Sequence, residues 1–387
     1  GVNRPDMVLE GLDSIEFIDP DAEQPVRVIT VPKTAKTPRI IAIEPVCMQY
    51  TQQSILEMLT FALETHTLSK GSVNFRSQNV NRESARLSSE GVLKLATLDL
   101  SEASDRVHCD LVSLMLDGLP TLRDAVLSCR SQTADVPGYG VIPLAKFASM
   151  GSALCFPIES MVFYTITLLA MHEAQNIRPS FASIKRMKEG VRIYGDDIIV
   201  PVDMVHSVMT HLEAYGLKVN SNKSFWNGKF RESCGMDAYD GQSVTPTYVR
   251  SMPPTDRQSA HEIVSWTSLS NQLYMRGYWR AARFCREVVE QALKSVLPLV
   301  SRLSAAIGLH TFKEWKQITG WDKLLHKFVI RAPTFSAKPR PSRLDGYGAL
   351  LKFFLKRSEL PTDDKDHLKR AGRPLHAHIK VRGVSVF

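Results

Sequence analysis

Apolar and polar positions along this chain follow two periods, one typical of short strands and one typical of helices. Residues 26–43 predict two short strands around a basic loop with two prolines, and residues 46–66 carry apolar groups at helical spacing. Polar residues over 71–82, rich in Asn and Arg, predict a loop that enters a helix. The run from 92 to 100 alternates as a strand, with Asp99 at its carboxyl end.

A helix is expected directly after Asp99, with Ser104 or Asp105 as its cap. Further along, a turn at 137–140 predicts a hairpin within residues 135–147. The expected apolar face of the first helix consists of Val107, Leu111, Leu114 and Met115.

Gly151 precedes a predicted helix over about 152–172, whose uncharged apolar run 161–171 is too short to span a bilayer. Two β-rich runs joined by Gly195–Asp197 predict a second hairpin, which a helix near 202–215 and another strand follow. The core positions expected on the long helix are Phe163, Ile166, Leu169 and Ala170.

From about residue 255 onward the pattern is helical and basic. Residues 351–387 hold nine Lys or Arg against four Asp or Glu, which predicts a flexible basic tail. His376 and His378 in that tail are only a weak indication of a metal site. An interleaved cluster nearer the start of this region can stack bases and hold phosphates, but an aromatic core face is the preferred interpretation. The cluster consists of Tyr274, Tyr278 and Trp279 with Arg276, Arg280 and Arg283.

The composition is ordinary for a globular protein of two or three subdomains: 387 residues, 44% hydrophobic and 23% charged. The net charge of +8 is compatible with nucleic-acid binding and equally with a solvated basic surface. Six cysteines form no Cys-x-x-Cys pair, which argues against a structural zinc site and fits a reducing cytoplasm. The chain shows no signal peptide and begins with Gly1, so we expect that part of the N-terminal region is missing.

Three acidic residues carry the strongest chemical signal. Asp99 ends a predicted strand, and Asp196 and Asp197 lie in a tight hairpin between apolar strands. Three carboxylates brought together repel one another, and hard cations such as Mg²⁺ or Mn²⁺ relieve that repulsion. Two such ions activate an attacking hydroxyl and stabilise a leaving oxygen in phosphoryl transfer. Taken alone, Gly-Asp-Asp is usually a simple turn and an aspartate at a strand end is usually a cap.

Several segments match, in chain order, the motifs of known polymerases. Leu98–Asp105 is similar to motif A, Ser149–Ser152 with its following helix to motif B, and Tyr194–Asp197 to motif C. Together with five further segments, they resemble the replicases of single-stranded RNA bacteriophages, the levivirus group; the resemblance covers residues 26–250 and is thin beyond them, where only the last of these segments lies. The further segments are Val31–Lys33, Ile41–Pro45, Gln78–Arg82, Phe230–Gly235 and Asp345–Gly348.

The resemblance implies an α+β right-hand polymerase fold with fingers, palm and thumb. The palm is expected to be an antiparallel sheet with flanking helices. Residues 1–90 are assigned to a fingers portion with a basic NTP-entry loop, and 91–240 to a palm with motifs A to E. Residues 118–148 form an insertion toward the fingers, and 241–387 form the thumb and a basic C-terminal region.

The resemblance also implies roles for individual residues. Asp99, Asp196 and Asp197 fall on metal-binding positions, for two Mg²⁺ ions with Mn²⁺ as a substitute. The backbone carbonyl of Leu100 is expected as a further ligand. Lys223 resembles the motif D lysine proposed to protonate pyrophosphate. The competing interpretation is an exposed loop lysine, and Lys218 is a nearby competitor.

Contacts to the nucleotide are expected from two regions. The basic residues of motif F would neutralise the triphosphate and leaving pyrophosphate, although a solvated basic loop is the ordinary explanation. They are Lys33, Lys36 and Arg39.

The second region lies beside the ribose, where reverse transcriptases place an aromatic ring. Here a small hydroxyl stands instead, and Ser104, Asp105 and Ser152 offer hydrogen bonds to a 2′-OH. Ser104 and Ser152 can equally be helix caps. Many viral RNA polymerases carry asparagine eight residues after Gly151, but this chain has Glu159. We expect Glu159 to orient Ser104 or a basic residue.

These observations favour template-directed RNA synthesis from ribonucleoside triphosphates. The alternatives are a reverse transcriptase, since Tyr194–Asp197 also fits Tyr-x-Asp-Asp, and an inactive basic RNA-binding protein. The resemblance implies a phage RNA template and product, the host elongation factors Tu and Ts with a ribosomal protein as partners, and the cytoplasm of an infected bacterium. No membrane partner is expected.

Overall fold

A computed structural model describes residues 23–32, 38–313, 318–338, 347–348, 350–351 and 376–385. The chain divides into two compact units, Gly1–Thr245 and Pro246–Phe387. The described residues contain both helices and strands, and the α+β prediction is confirmed.

The described strands of the first unit form three small sheets. The sheet that carries the candidate site has the order β3-β7-β6 and is antiparallel throughout. The others have the orders β2-β1-β4-β5 and β10-β9-β8. The strands are β1 (Val26–Pro32), β2 (Pro38–Ile43), β3 (Leu95–Leu98), β4 (Thr133–Val136), β5 (Gly140–Pro143), β6 (Arg192–Tyr194), β7 (Asp197–Pro201), β8 (Phe230–Ser233), β9 (Met236–Tyr239) and β10 (Gln242–Ser243).

Helices surround these sheets. The predicted strands at 26–43, both hairpins and the helices near 46–66 and 202–215 are all present. The helices are α1 (Val46–Thr65), α2 (Asn79–Glu90), α3 (Ala103–Arg106), α4 (Cys109–Met115), α5 (Pro120–Ser128), α6 (Cys155–Ala174), α7 (Phe181–Met187) and α8 (Val205–Ala214).

The core of the first unit is built around α6. Phe163, Ile166 and Ala170 are buried as predicted, whereas Leu169 is 38% exposed, so its assignment to the core was wrong. Among the described residues, α6 is long and apolar enough to cross a membrane by length and composition, and 78% of that window is buried inside the protein.

The segment after Asp99 differs from its prediction. A single helix capped by Ser104 or Asp105 is wrong: the chain forms α3 and α4, and the cap of α4 is His108, whose side chain accepts from Asp110 N. The backbone between the two helices is extended because it pairs with a neighbouring segment: Phe147 N donates to Val107 O at 2.7 Å. The hydrogen bond between Phe147 and Val107 thus accompanies a break in the helix between α3 and α4. Leu114, predicted to be apolar core, is 72% exposed as a result.

The second unit is less helical than its sequence suggested. Two helices, α9 (Ala260–Met275) and α10 (Trp279–Leu293), are followed by an antiparallel sheet. The sheet consists of β11 (Gly320–Asp322), β12 (Lys327–Lys338) and β13 (His376–Ser385) in that order.

Two further predictions for this unit are wrong. Residues 376–385 are not a flexible tail, because β13 pairs along β12 and Ile379 is buried against the α9–α10 core. Tyr278 and Trp279 do not form a core face: each is 62% exposed, and the face of α10 that packs inward carries Ala282, Cys285 and Val289.

Candidate active site

The hairpin of β6 and β7 presents two aspartates at one end of the sheet. Tyr194 pairs with Asp197, so Gly195 and Asp196 form a two-residue turn. Gly195 has φ +59°, and a Cβ there would lie 2.3 Å from Cε2 of Phe156. Only glycine allows the turn to sit this closely on α6. Asp196 is exposed at the tip.

Asp99 lies beside this hairpin. The last paired residues of β3 and β7 are Leu98 and Ile198, in antiparallel register. The next positions are therefore Asp99 on one strand and Asp197 on the other, which face each other across the sheet end. Facing Cα atoms in antiparallel pairs are about 4.5–5.5 Å apart. The register therefore places the strand end that carries Asp99 beside the Asp196-Asp197 hairpin.

Asp99 is held by a segment that follows α8. Asn220 donates twice, from its backbone N to Asp99 O at 2.9 Å and from Nδ2 to Asp99 Oδ2 at 3.0 Å. Asp99 N donates to Oγ of buried Ser224 at 3.1 Å. The half-buried carboxylate of Asp99 is therefore fixed by partners that lie more than a hundred residues away in the chain.

Asp197 is held from two other directions. Its Oδ1 accepts from Ser233 Oγ at 3.1 Å and from Cys234 N at 2.9 Å. On the backbone side, Asn81 Nδ2 donates to Asp197 O at 3.4 Å. Arg82 Nε donates to Cys234 O at 3.0 Å, so helix α2 also fixes the residue that binds the Asp197 carboxylate.

Two acids of this site, Asp197 and Glu232, have raised pKa values. Burial raises the pKa of Asp197, the negative charge of Asp196 raises it further, and the N–H of Cys234 opposes both. Burial also raises the pKa of Glu232. The positive charge of Lys223 lowers this pKa, whereas the negative charges of Asp99 and Asp197 raise it. Glu232 is therefore a further acid within electrostatic reach of the site, and the site carries an excess of negative charge.

The chemistry of this donor set fits a hard divalent cation. Carboxylate oxygens are the ligands that Mg²⁺ prefers, and a cation would relieve the repulsion seen in these pKa values. Within the described residues, no three acidic, His or Cys side chains already surround a common point. The carboxylates of Asp99 and Asp197 instead accept hydrogen bonds from Asn220, Ser233 and Cys234.

Glu159 lies beneath the hairpin. It is 8% exposed, and Oε1 would lie 3.2 Å from a Cβ on Gly195. Burial, with a contribution from the charge of Asp196, raises the pKa of Glu159 to about 8. Its Oε2 contacts the Sγ of Cys155 at 3.9 Å. The groups around Glu159 are Cys155 and the Gly195 turn, and the expectation that Glu159 orients Ser104 or a basic residue stays a prediction.

A second side chain of α6 fixes the same turn. Gly195 N donates to Ser160 Oγ at 3.2 Å, and Ser160 Oγ donates to Phe156 O at 2.8 Å. The ring of Phe156 packs edge-on against Tyr194, with ring centroids 5.1 Å apart. Three residues on one face of α6 thus contact the hairpin: Phe156, Glu159 and Ser160.

The residues expected near the ribose fall into two environments. Ser104 is 6% exposed, whereas the side chain of Asp105 is 54% exposed and forms an ion pair with Lys146 at 2.5 Å. Ser152 Oγ donates to Gln52 Oε1 at 3.0 Å. Ser104 is not a helix cap, because it lies inside α3. Ser152 Oγ accepts from Leu154 N at 3.3 Å, just before α6 begins at Cys155.

Gly151 holds the loop before α6 against β2. Its φ is +129°, and a Cβ there would lie 1.9 Å from Ala42 O. Ala42 N donates to Met150 O at 2.8 Å, which fixes the same contact. Arg39, which lies three residues before Ala42 on β2, is exposed. Lys33 and Lys36 lie outside the described residues.

Lys223 is exposed in a short 3-10 turn that follows Asn220. It is close enough to Glu232 to lower the pKa of that acid. Lys218 is also exposed, and its backbone O accepts from Ser101 N at 2.8 Å. Both predicted lysines therefore belong to the segment that pairs with the end of β3.

Sequence reasoning missed the residues that hold the aspartates. Asn81 and Arg82 belong to a segment noted only for its similarity, and Glu232 and Cys234 belong to another. Asn220 adjoins the lysine considered for catalysis. Their polarity beside apolar strands was the available signal, but contact over such separations cannot be read from local pattern.

Comparison with known proteins gives a consistent picture. The sequence model of the family described as "RNA replicase, beta-chain" matches residues 21–259. A Qbeta virus (strain MX1) protein named RNA-directed RNA polymerase subunit beta is 29% identical over 328 residues, covering 84% of this chain and 52% of that protein. The RNA-directed RNA polymerase beta chain of Escherichia phage MS2 is 34% identical over 225 residues, covering 58% and 37%. This chain thus spans about half the length, or less, of the relatives it matches.

Similar solved structures include an RNA-dependent RNA polymerase of a human picobirnavirus in an insertion-loop deletion form. Its TM-score is 0.46 at 12% identity, over 70% of this chain and 58% of that one. Telomerase from Candida albicans gives a TM-score of 0.43 at 14% identity, over 70% and 54%.

Proposed function

This chain belongs to the RNA replicase beta-chain family, and on that premise we propose that its first unit carries the catalytic centre of an RNA-directed RNA polymerase. The reaction is template-directed joining of ribonucleoside triphosphates with release of pyrophosphate. The observation that carries the proposal is the register of β3 and β7, which sets Asp99 opposite Asp197 at the end where the hairpin exposes Asp196.

Asp99, Asp196 and Asp197 are the proposed ligands of two Mg²⁺ ions, with Mn²⁺ as a substitute and the carbonyl of Leu100 as a further donor. When bound, such ions activate the attacking 3′-hydroxyl and stabilise the leaving oxygen. The hydrogen bonds from Asn220 and Cys234 hold Asp99 and Asp197 in place. Preorganised ligands of this kind reduce the rearrangement needed when the ions and the nucleotide bind.

Basic residues complete the proposed chemistry. Lys33, Lys36 and Arg39 neutralise the triphosphate, where negative charge develops as pyrophosphate leaves. Lys223 donates a proton to that pyrophosphate, supported by its position near Glu232 beside the aspartates.

The remaining parts of the proposal rest on the family. Right-hand polymerases divide into fingers, palm and thumb, for which we propose residues 1–90, 91–240 and 241–387. The template is a phage RNA genome and its complement, copied without a primer in the cytoplasm of an infected bacterium. Host elongation factors Tu and Ts and a ribosomal protein are the proposed partners.

The test is incorporation of labelled ribonucleotides on an RNA template with Mg²⁺. Asp196→Asn is expected to reduce synthesis by about a thousandfold or more, since loss of a metal ligand removes several kcal/mol of transition-state stabilisation. The matched control is Asp203→Asn, an exposed acid just beyond β7, which retains activity.

Two further measurements separate the alternatives. A reverse transcriptase would use deoxyribonucleotides in preference to ribonucleotides. An inactive RNA-binding protein would lose nothing measurable in Asp196→Asn. Titration with Mn²⁺ by electron paramagnetic resonance reads the metal site without turnover, and unchanged Mn²⁺ binding in Asp99→Asn would refute the proposed ligand set.

A further inference from the structure

Two neighbouring cavities open on the second unit, outside the acidic site. Their volumes are about 610 Å³ and 300 Å³, and they share a wall formed by Asn271 and His310. Asn271 is 8% exposed and bonded on both sides, with Nδ2 donating to Gly308 O and Oδ1 accepting from His310 N, each at 3.0 Å. The wall is therefore a fixed part of this unit. The volumes lie within the range of about 300–1,000 Å³ that is usual for ligand sites.

The charge of both cavities is positive. Arg276 and Arg302 line the larger cavity, and Arg283 and Arg286 line the smaller one. The described residues that line them include no Asp or Glu. Burial and the charge of Arg302 lower the pKa of His310, so this imidazole is neutral near pH 7. An anionic ligand is favoured at such a surface.

One arginine is only partly satisfied. Arg286 Nε is buried without a hydrogen-bond partner among the described residues, and its nearest acidic atom is Glu290 Oε2 at 3.7 Å. The rest of this side chain is accessible, with 40% of its surface exposed, so its terminal N–H groups can donate to a phosphate oxygen. Arginine also forms two parallel hydrogen bonds to phosphate.

Aromatic rings border the smaller cavity. Trp279 lines it and is 62% exposed. Tyr274 lines it too and stacks at a tilt of 35° on Phe312, with ring centroids 5.4 Å apart. Phe312 is itself 64% exposed. Large exposed rings next to arginines are the arrangement on which unpaired bases stack.

We propose that this surface, defined by Tyr274, Trp279, Arg283, Arg286, His310 and Phe312, is a binding site for single-stranded RNA. A base stacks on Trp279, and the arginines contact the flanking phosphates. The site requires no metal and none of the aspartates of the first unit. The absence of acidic lining residues around Arg283 and Arg286 favours the phosphates of RNA over a protein segment, which would have to supply carboxylates of its own.

The test measures binding of a fluorescein-labelled oligouridylate of eight nucleotides to the full chain by anisotropy, in EDTA so that no synthesis occurs. Trp279→Ala is expected to raise the Kd about tenfold or more, the usual effect of removing one stacked base contact. Trp279→Phe is expected to keep most of the affinity. The matched control is Phe284→Ala, which removes a ring that is 60% exposed on the same helix but does not line the cavity.

A second measurement, the salt dependence of binding, tests the phosphate contacts. Arg283→Ala is expected to weaken binding and to reduce the slope of log K against log salt by about 0.7, the value for one phosphate on a single strand. Arg280→Ala removes an exposed arginine of α10 that lines neither cavity, and is expected to leave both quantities near wild type. Both arginines are exposed, so thermal unfolding should be unchanged.

The outcome is independent of the polymerase proposal. In Asp196→Asn the difference in Kd caused by Trp279→Ala is expected to persist even though synthesis is lost. Equal Kd values for Trp279→Ala and Phe284→Ala would overturn the RNA site, and so would crosslinks from a 4-thiouridine oligonucleotide that fall only in residues 1–245. Either result would instead assign these rings to a protein partner.

Discussion

The side-chain amide of Asn81 donates a hydrogen bond to the backbone carbonyl of Asp197, which lies 116 residues later in the chain. Asn81 is fully buried, and its Oδ1 has no hydrogen-bond partner among the described residues. A buried polar group with an unsatisfied acceptor is destabilising by itself, so its position beneath a proposed metal ligand indicates a role in the site. We interpret Asn81 as a residue that positions Asp197.

Asn81→Ala is therefore expected to weaken metal binding without unfolding the protein. Groups that orient metal ligands typically contribute tenfold to a hundredfold to affinity or activity. The Mg²⁺ concentration for half-maximal RNA synthesis should rise by about tenfold, with a parallel loss in Mn²⁺ affinity measured by electron paramagnetic resonance. Asn79→Ala, exposed on the same helix, is the control. Reduced synthesis at every Mg²⁺ concentration with unchanged Mn²⁺ affinity would contradict this role.

Gly195→Ala tests the close packing of the hairpin against α6. The added methyl would lie 2.3 Å from the Phe156 ring, at a φ that alanine adopts with strain. Overpacking of this kind costs about 1–3 kcal/mol, and here the displaced backbone carries Asp196. We expect both lower free energy of unfolding and loss of RNA synthesis. Gly118→Ala, where a Cβ meets nothing within 4 Å, should change neither quantity. Full synthesis by Gly195→Ala would show that the turn tolerates movement.

Local pattern was sufficient for the elements that carry the aspartates. The alternation of apolar and polar residues predicted β3, and the Gly-Asp-Asp turn between two apolar runs predicted the second hairpin. Both predictions succeeded because each depends on only a few neighbouring residues. The segment between α3 and α4 was missed because its extended form depends on pairing with residues near Phe147. Likewise β13 depends on β12, which lies some forty residues earlier.

The surroundings of the site were harder to predict than its acids. The hydrogen bond from Asn220 to Asp99 and the burial of Glu159 under Gly195 arise only when distant segments meet. The exposure of Trp279 was predicted wrongly because an aromatic at a helix start fits a core face and a binding surface equally well. Burial, unlike periodicity, is a property of the whole fold.

Sugar selection is expected to depend on Asp105 more than on Ser104. Ser104 is 6% exposed, and the nearby Cys155 thiol hydrogen-bonds with it, whereas Asp105 is exposed and oriented by Lys146. A hydrogen bond to a charged group contributes about 1.5–3 kcal/mol, so Asp105→Ala should lower the preference for ATP over 2′-deoxy-ATP by roughly tenfold to a hundredfold in kcat/KM. Lys146→Ala should act in the same direction, and exposed Asp110→Ala should not. A larger effect from Ser104→Ala would reverse this assignment.

The buried carboxyl of Glu159 is expected to make stability depend on pH. Its pKa is about 8 in the folded chain, because burial and the charge of Asp196 disfavour ionisation, against an ordinary value of 4.5. Between these values the folded state keeps a proton that the unfolded state releases. The free energy of unfolding therefore falls as pH rises. The stabilisation is fully present below about pH 4.5 and is lost as pH rises through 8.

Glu159→Gln should remove this dependence, since the amide stays neutral at every pH. Each pKa unit corresponds to about 1.4 kcal/mol, so the wild-type chain should lose up to several kcal/mol across the window relative to the variant. Denaturant unfolding at pH 5, 6, 7 and 8 measures the difference, with Glu57→Gln, exposed on α1, as the control. Parallel curves for wild type and Glu159→Gln would mean that Glu159 is ionised beneath the hairpin, and that a nearby cation rather than a proton balances its charge.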